Sequence, residues 1–202
     1  MNVRLFSMPG SHAATTGELL FDYKGINYKR TDLLPVVSWV VLKALRSPDK
    51  TVPAAKIDGE RVQGTRAIAR ELERRQPEPP LFPSDTERRR VVEEAERFGD
   101  EELQQKVREI FLWSARKDRS GLVGYLEGGK IGMPHGVAAR TAGPFIALDA
   151  RSRGATDDNV RQAIAALPGM LQRIDDWIDE GVLGVSHRTR PTCRSPRACA
   201  WP

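Results

Sequence analysis

One stretch constrains this chain more than any other. Thr51-Val52-Pro53-Ala54 opens an apolar run, Lys56-Ile57-Asp58-Gly59 carries it into a tight turn, and Gly64-Thr65-Arg66-Ala67-Ile68 starts a helix. Proline has no N–H to give a sheet ladder, so central strands reject it. At a strand's first residue, where Pro53 falls, a cis bond or a sharp turn admits it. Such a turn leaves the backbone of Val52 exposed to pair with an extended ligand. A helix beginning at Thr65 adds unpaired backbone N–H groups, which favour a carboxylate. The expectation is a site for a peptide-sized anion.

The flanking sequence places this stretch in a larger pattern. Val3 to Phe6 alternates as a strand and closes at Pro9-Gly10. Ser11 suits an N-cap, and Ala13 to Tyr23 reads as a helix that Gly25 stops. Ile26 to Leu33 is a second strand, and Pro35 to Leu45 is apolar and helical or irregular. Val52–Ile57 and Glu60–Val62 form a hairpin around Asp58-Gly59, and Thr65 to Arg75 is helical with Ile68 and Leu72 on one face. The order is β-α-β-α-β-β-α. A stiff run, Gln76-Pro77-Glu78-Pro79-Pro80-Leu81-Phe82-Pro83, follows. Beyond it the pattern is helical only: one long charged helix from Asp85 to about Lys117, a second from Gly136 to Arg151, and a third capped by Thr156 and running to about Asp179. Leu167-Pro168-Gly169 predicts a kink or break in that third helix.

On Val52-Pro53, the hairpin and Gly64-Thr65-Arg66-Ala67-Ile68, the chain resembles the glutathione S-transferases. The likeness runs from about residue 3 to about residue 184 and is most specific in the first 80. It implies an α+β thioredoxin-like N-terminal domain (1–76), a proline-rich linker (77–84) and an all-α helical bundle (85–184). Residues 185–202 predict a disordered basic tail. The family continues after Trp177-Ile178-Asp179 with a capped helix, whereas this chain gives Val185-Ser186-His187-Arg188-Thr189-Arg190-Pro191. The departure reads as an altered or truncated reading frame, or else as a basic tail with its own role.

Charge and cysteine content narrow the function. The formal charge is +5, but four arginines of the acid-free tail account for most of it, leaving 28 basic against 27 acidic side chains in the first 184 residues. The basic character belongs to the tail, which argues against a nucleic-acid-binding face. Both cysteines, Cys193 and Cys199, also lie there, so the thioredoxin-like half has no Cys-x-x-Cys motif and no catalytic cysteine. A glutaredoxin-like exchanger is therefore disfavoured, and no metal site is expected. No apolar run reaches the length of a membrane helix and the N-terminus lacks a signal-peptide core, so the expected location is cytoplasmic.

The resemblance implies the chemistry. Glutathione is the co-substrate, no cofactor is required, and the thiolate is the nucleophile, stabilised by a hydroxyl at a helix N-terminus. In serine-type classes that serine follows the first strand, which points to Ser11, equally readable as a plain N-cap, with Ser7 at the strand end the runner-up. His12 either tunes this site or is a surface histidine. Val52 pairs its backbone with the cysteinyl part of glutathione beside Pro53, and Thr65 holds the γ-glutamyl carboxylate or simply starts the helix. Arg66 follows the family pattern or serves a salt bridge. Lys50 meets the glycyl carboxylate or is solvated. Gly64 stands where the family has Glu or Gln, and losing a charged hydrogen bond there weakens binding by roughly 1.5–3 kcal/mol. Gln63 is expected to face the other way. Trp39, Phe111, Trp113 and Tyr125 line an apolar pocket or belong to the core. The expected activity is attack of the thiolate on a small, apolar electrophile by a homodimer; the rival is a non-catalytic binding or scaffold module of the same fold, or an inactive truncated copy.

Overall fold

The computed structural model describes residues 1–33, 51–129 and 132–183. Lys50, Trp39, the 35–45 segment and the tail with both cysteines lie outside the described residues. The N-terminal region holds β1 (Val3–Ser7), α1 (His12–Tyr23), β2 (Lys29–Asp32), β3 (Ala54–Ile57), β4 (Glu60–Gln63) and α2 (Thr65–Arg75). The strands form one mixed sheet in the order β2-β1-β3-β4, with β1 and β2 parallel and the other pairs antiparallel. Leu5 stands opposite Ala55, and Ala55 opposite Val62. Strand alternation then sorts the side chains. Val3, Leu5, Ala55 and Ile57 pack with Phe21, Ile68 and Leu72 of the two helices, while Phe6, Ala54 and Leu33 form a separate cluster. This is the thioredoxin-like arrangement.

β2 is shorter than the Ile26–Leu33 run suggests. Ile26 is drawn into the end of α1 instead, its N–H donating to the Phe21 carbonyl at 2.9 Å, and its side chain joins the core. The hairpin turns through Asp58 and Gly59, both at positive φ, as a primed turn requires. Val52 and Pro53 fall just outside β3, and the bond between them is cis.

Lys24 closes the N-terminal region. Its side chain is wholly buried, and Nζ donates to Glu73 Oε2 at 2.6 Å and to the carbonyls of Gln76 (2.7 Å), Pro77 (3.1 Å) and Pro79 (2.6 Å). Glu73 also accepts the Leu81 N–H at 3.0 Å. Burial pushes the Glu73 carboxyl up, but the Lys24 and Leu81 hydrogen bonds outweigh it and hold it below the usual range. The end of α2 and the start of the proline-rich run are thereby fastened to α1. At the far end of the sheet, Arg75 joins Glu71 to Asp58 and Glu60 of the hairpin turn.

The remaining described elements are helical: α3 (Thr86–Arg97), a π-helical turn (Phe98–Leu103), α4 (Gln104–Lys117), α5 (Gly121–Tyr125), α6 (His135–Thr141), α7 (Gly143–Ser152) and α8 (Asp157–Asp179). Asp85 and Thr156 cap α3 and α8, accepting the N–H groups of Arg88 (2.8 Å) and Asn159 (3.2 Å). The helix expected over Asp85–Lys117 is continuous but widened by one π turn at Phe98–Leu103. The helix expected over 136–151 is two, because Pro144 sits in the first turn of α7, where its missing N–H costs nothing. α5 was not anticipated. α8 runs unbroken through Pro168; the carbonyl that proline frees, on Ile164, lies on an exposed face where water can serve it. α4 packs on both α7 and α8. Phe98 meets Trp177 edge-on at 5.3 Å, and Arg173 covers both rings while pairing with Glu94 at 2.7 Å.

Two tests follow from the N-terminal region. Lys24→Met leaves a part-buried carboxylate and three carbonyls without their donor and is expected to lower stability by about 3 kcal/mol in urea unfolding. The Glu71 carboxyl is held at about 2, first by its hydrogen bond from Arg74 and, against the opposing effect of burial, by Arg75. A depressed carboxyl stabilises the fold above its ordinary value of 4.5 and loses that contribution as pH falls towards 2. Glu71→Gln should flatten the fall in stability across that window, measured by unfolding at a series of pH values.

Candidate functional site

The first turns of α1 and α2 meet at one end of the sheet. Ser11 caps α1, its hydroxyl oxygen accepting the Ala14 N–H at 3.4 Å. The Thr65 hydroxyl at the start of α2 reaches the Ala13 carbonyl at 3.4 Å and ties the two helix ends together. Gly64 precedes it at φ 85°, ψ 147°, a backbone setting closed to other residues without strain. Its N–H donates to the Pro53 carbonyl and its own carbonyl accepts the Ile68 N–H. A Cβ there would meet nothing within 4 Å, so backbone conformation, not space, selects glycine.

Beside these ends lies a cleft of about 590 Å³. One wall is Val52, Pro53, Gly64, Thr65 and Arg66; the other comes from the π turn and α4, with Asp100, Gln104 and Arg108, and from Arg153 after α7. The cleft thus brings together Val52, Pro53, Thr65 and Arg66. Gln63, expected on the opposite face, lines it too, because the chain turns at Gly64; its amide donates to the Thr51 carbonyl at 2.6 Å. Ser11 stands two residues before Ala13, the nearest lining residue of α1. Ser7 is fully buried and donates to Glu18 Oε1 at 2.6 Å, away from the cleft lining. Lys50 lies outside the described residues.

Arg66 spans the cleft floor to the helical region, pairing with Glu101 at 2.8 Å and Glu96 at 3.7 Å. Arg70, one turn on, pairs with Glu96 at 2.7 Å and stacks over Phe82, with Arg89 over the same ring. Phe111 and Tyr125 stack at 4.6 Å within the helical core, and Trp113 donates to Asp157, so these aromatic residues do not line the cleft. Tyr125 has a second contact. A Cβ on Gly10, at φ 71°, would lie 2.4 Å from the Tyr125 carbonyl oxygen. The helical region therefore presses on the loop that positions Ser11.

His12 follows Ser11. Burial, then the charge of Arg108, lowers its pKa, so it is neutral near pH 7. Arg108 itself is half-buried; burial and then Arg153 lower its pKa, against the acids Asp149 and Asp100. The residues contributed by the second wall escaped the sequence reading. Their only signal was the spacing of four between Asp100, Gln104 and Arg108, which puts them on one face of a helix that is charged elsewhere as well.

Residues 5–80 match the family model described as glutathione S-transferase, N-terminal domain. The match is confined to this N-terminal stretch, and it is to that domain that the chain is similar. Among solved structures, the beta-etherase LigF from a Sphingobium species is similar at 17% identity and a TM-score of 0.61, covering 89% of this chain and 74% of its own. A glutathione S-transferase from Methylobacterium radiotolerans, in complex with glutathione sulfonate, gives 17%, 0.52, 88% and 68%. One from Rhodospirillum rubrum gives 22% and 0.49, covering 70% of this chain; this chain spans only 60% of its length. The first two of these likenesses show the glutathione S-transferase fold. No protein of curated function matches the chain by sequence.

The Gly10 contact is open to test. Gly10→Ala must displace Tyr125 or the loop before Ser11, and a loss of about 2 kcal/mol is expected in urea unfolding.

Proposed function

We propose that this chain binds glutathione in the cleft and transfers its thiolate to a small electrophile. The observation that carries the reading is the convergence of Val52-Pro53 and the Thr65 end of α2 on one cleft beside the N-terminus of α1. Helix N-termini present unpaired N–H groups and a partial positive charge, which suit the γ-glutamyl carboxylate at α2 and a thiolate at α1. Val52 supplies backbone for the extended peptide. Ser11 uses an oxygen lone pair as a cap and keeps its O–H proton to donate to sulfur. The sulfur forms a bond to the electrophilic carbon as the leaving group departs, or as an activated double bond takes up a proton. A cytoplasmic homodimer is part of the proposal; among the described residues no helix is long and apolar enough to cross a membrane.

Two observations favour a second reading, a binding or scaffold module of the same fold. Gly64 offers no side chain to the γ-glutamyl end, and Arg66 is engaged with Glu101 and Glu96. Calorimetry with glutathione separates the readings. Wild type should bind, and Thr65→Ala should bind roughly tenfold more weakly, the value of one hydrogen bond to a charged group. Ser11→Ala should leave affinity within about twofold and raise the pKa of the bound thiol towards the free value of about 8.5, followed by the thiolate's ultraviolet absorbance. Binding with no thiolate signal and no turnover of any electrophile would favour the module, and no binding by folded wild type would remove glutathione from the assignment.

A further inference from the structure

The second wall of the cleft carries a charge that no described residue pairs with. Arg108 projects from α4 into the cleft, half-buried, and makes no hydrogen bond or ion pair with a described residue. Its surroundings are unfavourable to it: burial and Arg153 act against its charge, and Asp149 and Asp100 offset them only at a distance. Asp149 is in any case engaged with Arg153 Nε at 2.8 Å. The contrast with the other two cleft arginines is direct, since Arg66 has two carboxylate partners and Arg153 has one. A guanidinium removed from water without a partner is costly, and such groups in clefts are kept where a ligand completes them. Its planar fork matches a carboxylate through two parallel hydrogen bonds. Of the acids around it, Glu101 is paired with Arg66 and Asp149 with Arg153, which leaves Asp100 as the acid an incoming anion has to face, and Arg153 adds positive charge against it.

We propose that Arg108, with Arg153 beside it, binds a carboxylate on the second substrate, so that the cleft selects electrophiles bearing an anionic group. The proposal rests on the transferase reading for the word substrate, but the anion site can be tested without it. It also corrects an expectation, since the second wall of the cleft is polar and charged, with Asp100 and Glu101 beside Arg108 and Arg153, where an apolar, aromatic-lined pocket is one of the alternatives. Arg108 and Arg153 come from α4 and the end of α7, opposite Val52 and Thr65, so the carboxylate they take is set across the cleft from the peptide wall.

The probes are 2-naphthoate and its uncharged amide, 2-naphthamide, titrated calorimetrically into the full-length protein, with glutathione titrated separately. Wild type is expected to bind the carboxylate about ten- to a hundredfold tighter than the amide, as a charged hydrogen bond requires. Arg108→Met should abolish that preference, and Arg108→Lys should restore part of it, keeping charge while losing the fork. Unchanged thermal unfolding qualifies each variant, and the lysine variant carries the test if the methionine variant does not fold. Equal binding of the two probes, or a preference that survives Arg108→Met, overturns the proposal. Glutathione provides the other arm. If Arg108→Met weakens glutathione tenfold and saturating glutathione displaces naphthoate, the guanidinium serves the thiol's own carboxylate and the proposal falls. If glutathione does not bind at all while naphthoate still binds through Arg108, the anion site stands and the transferase reading fails.

Discussion

The buried ammonium of Lys24 fixes the geometry on which the cleft depends. A charge out of reach of water survives only when its donors all find acceptors, and here one carboxylate and three carbonyls surround it. Those carbonyls belong to residues 76, 77 and 79, where α2 ends and the chain sets off towards the helical region. α1 therefore dictates the direction in which the chain leaves the sheet. Phe82, held between the guanidiniums of Arg70 and Arg89, continues that direction into α3. The second wall of the cleft stands where it does because of this exit.

Magnitudes separate the ionic contacts into two kinds. Arg66 and Glu101 are both well exposed, so their attraction is screened by water and contributes little stability; its use is to hold the two walls at a set spacing. Lys24 is the opposite case, with a wholly buried side chain whose removal would strand several polar groups. Arg108 belongs to neither kind. It is partly desolvated like Lys24 but has no hydrogen-bond or ion-pair partner among the described residues, which makes it a cost to the folded chain unless something else meets it.

Much of the N-terminal half could be read from local chemistry. Thr65 to Arg75 forms the helix that its periodicity gives, Asp58-Gly59 turns the hairpin, and Ser11 caps α1, since each depends on residues within a few positions. Lys24 could not be read so, because its acceptors lie about fifty residues away and three of them are backbone oxygens with no sequence signature. The helical region resisted for a related reason. The π turn at 98–103 arises from how α3 and α4 settle against their neighbours, and the periodicity of an apolar stripe does not reveal an extra residue in one turn. Missing it meant missing which face of α4 carries Gln104 and Arg108.

That π turn makes the long helix behave as an indexed shaft. Each residue added to or taken from an α-helix turns everything beyond it by about 100°. Phe98 is anchored to Trp177 on one side of the turn, and Leu112 and Ala115 are anchored in the core on the other. Between these fixed points the wider turn absorbs the mismatch, so a single insertion or deletion there would change which residues of the turn itself face the cleft at the position of Asp100 and Glu101, while α4 keeps its phase and Arg108 its place. The charge at this end of the wall could thus be exchanged through the length of one turn, leaving both the α4 side chains and the peptide-facing wall as they are.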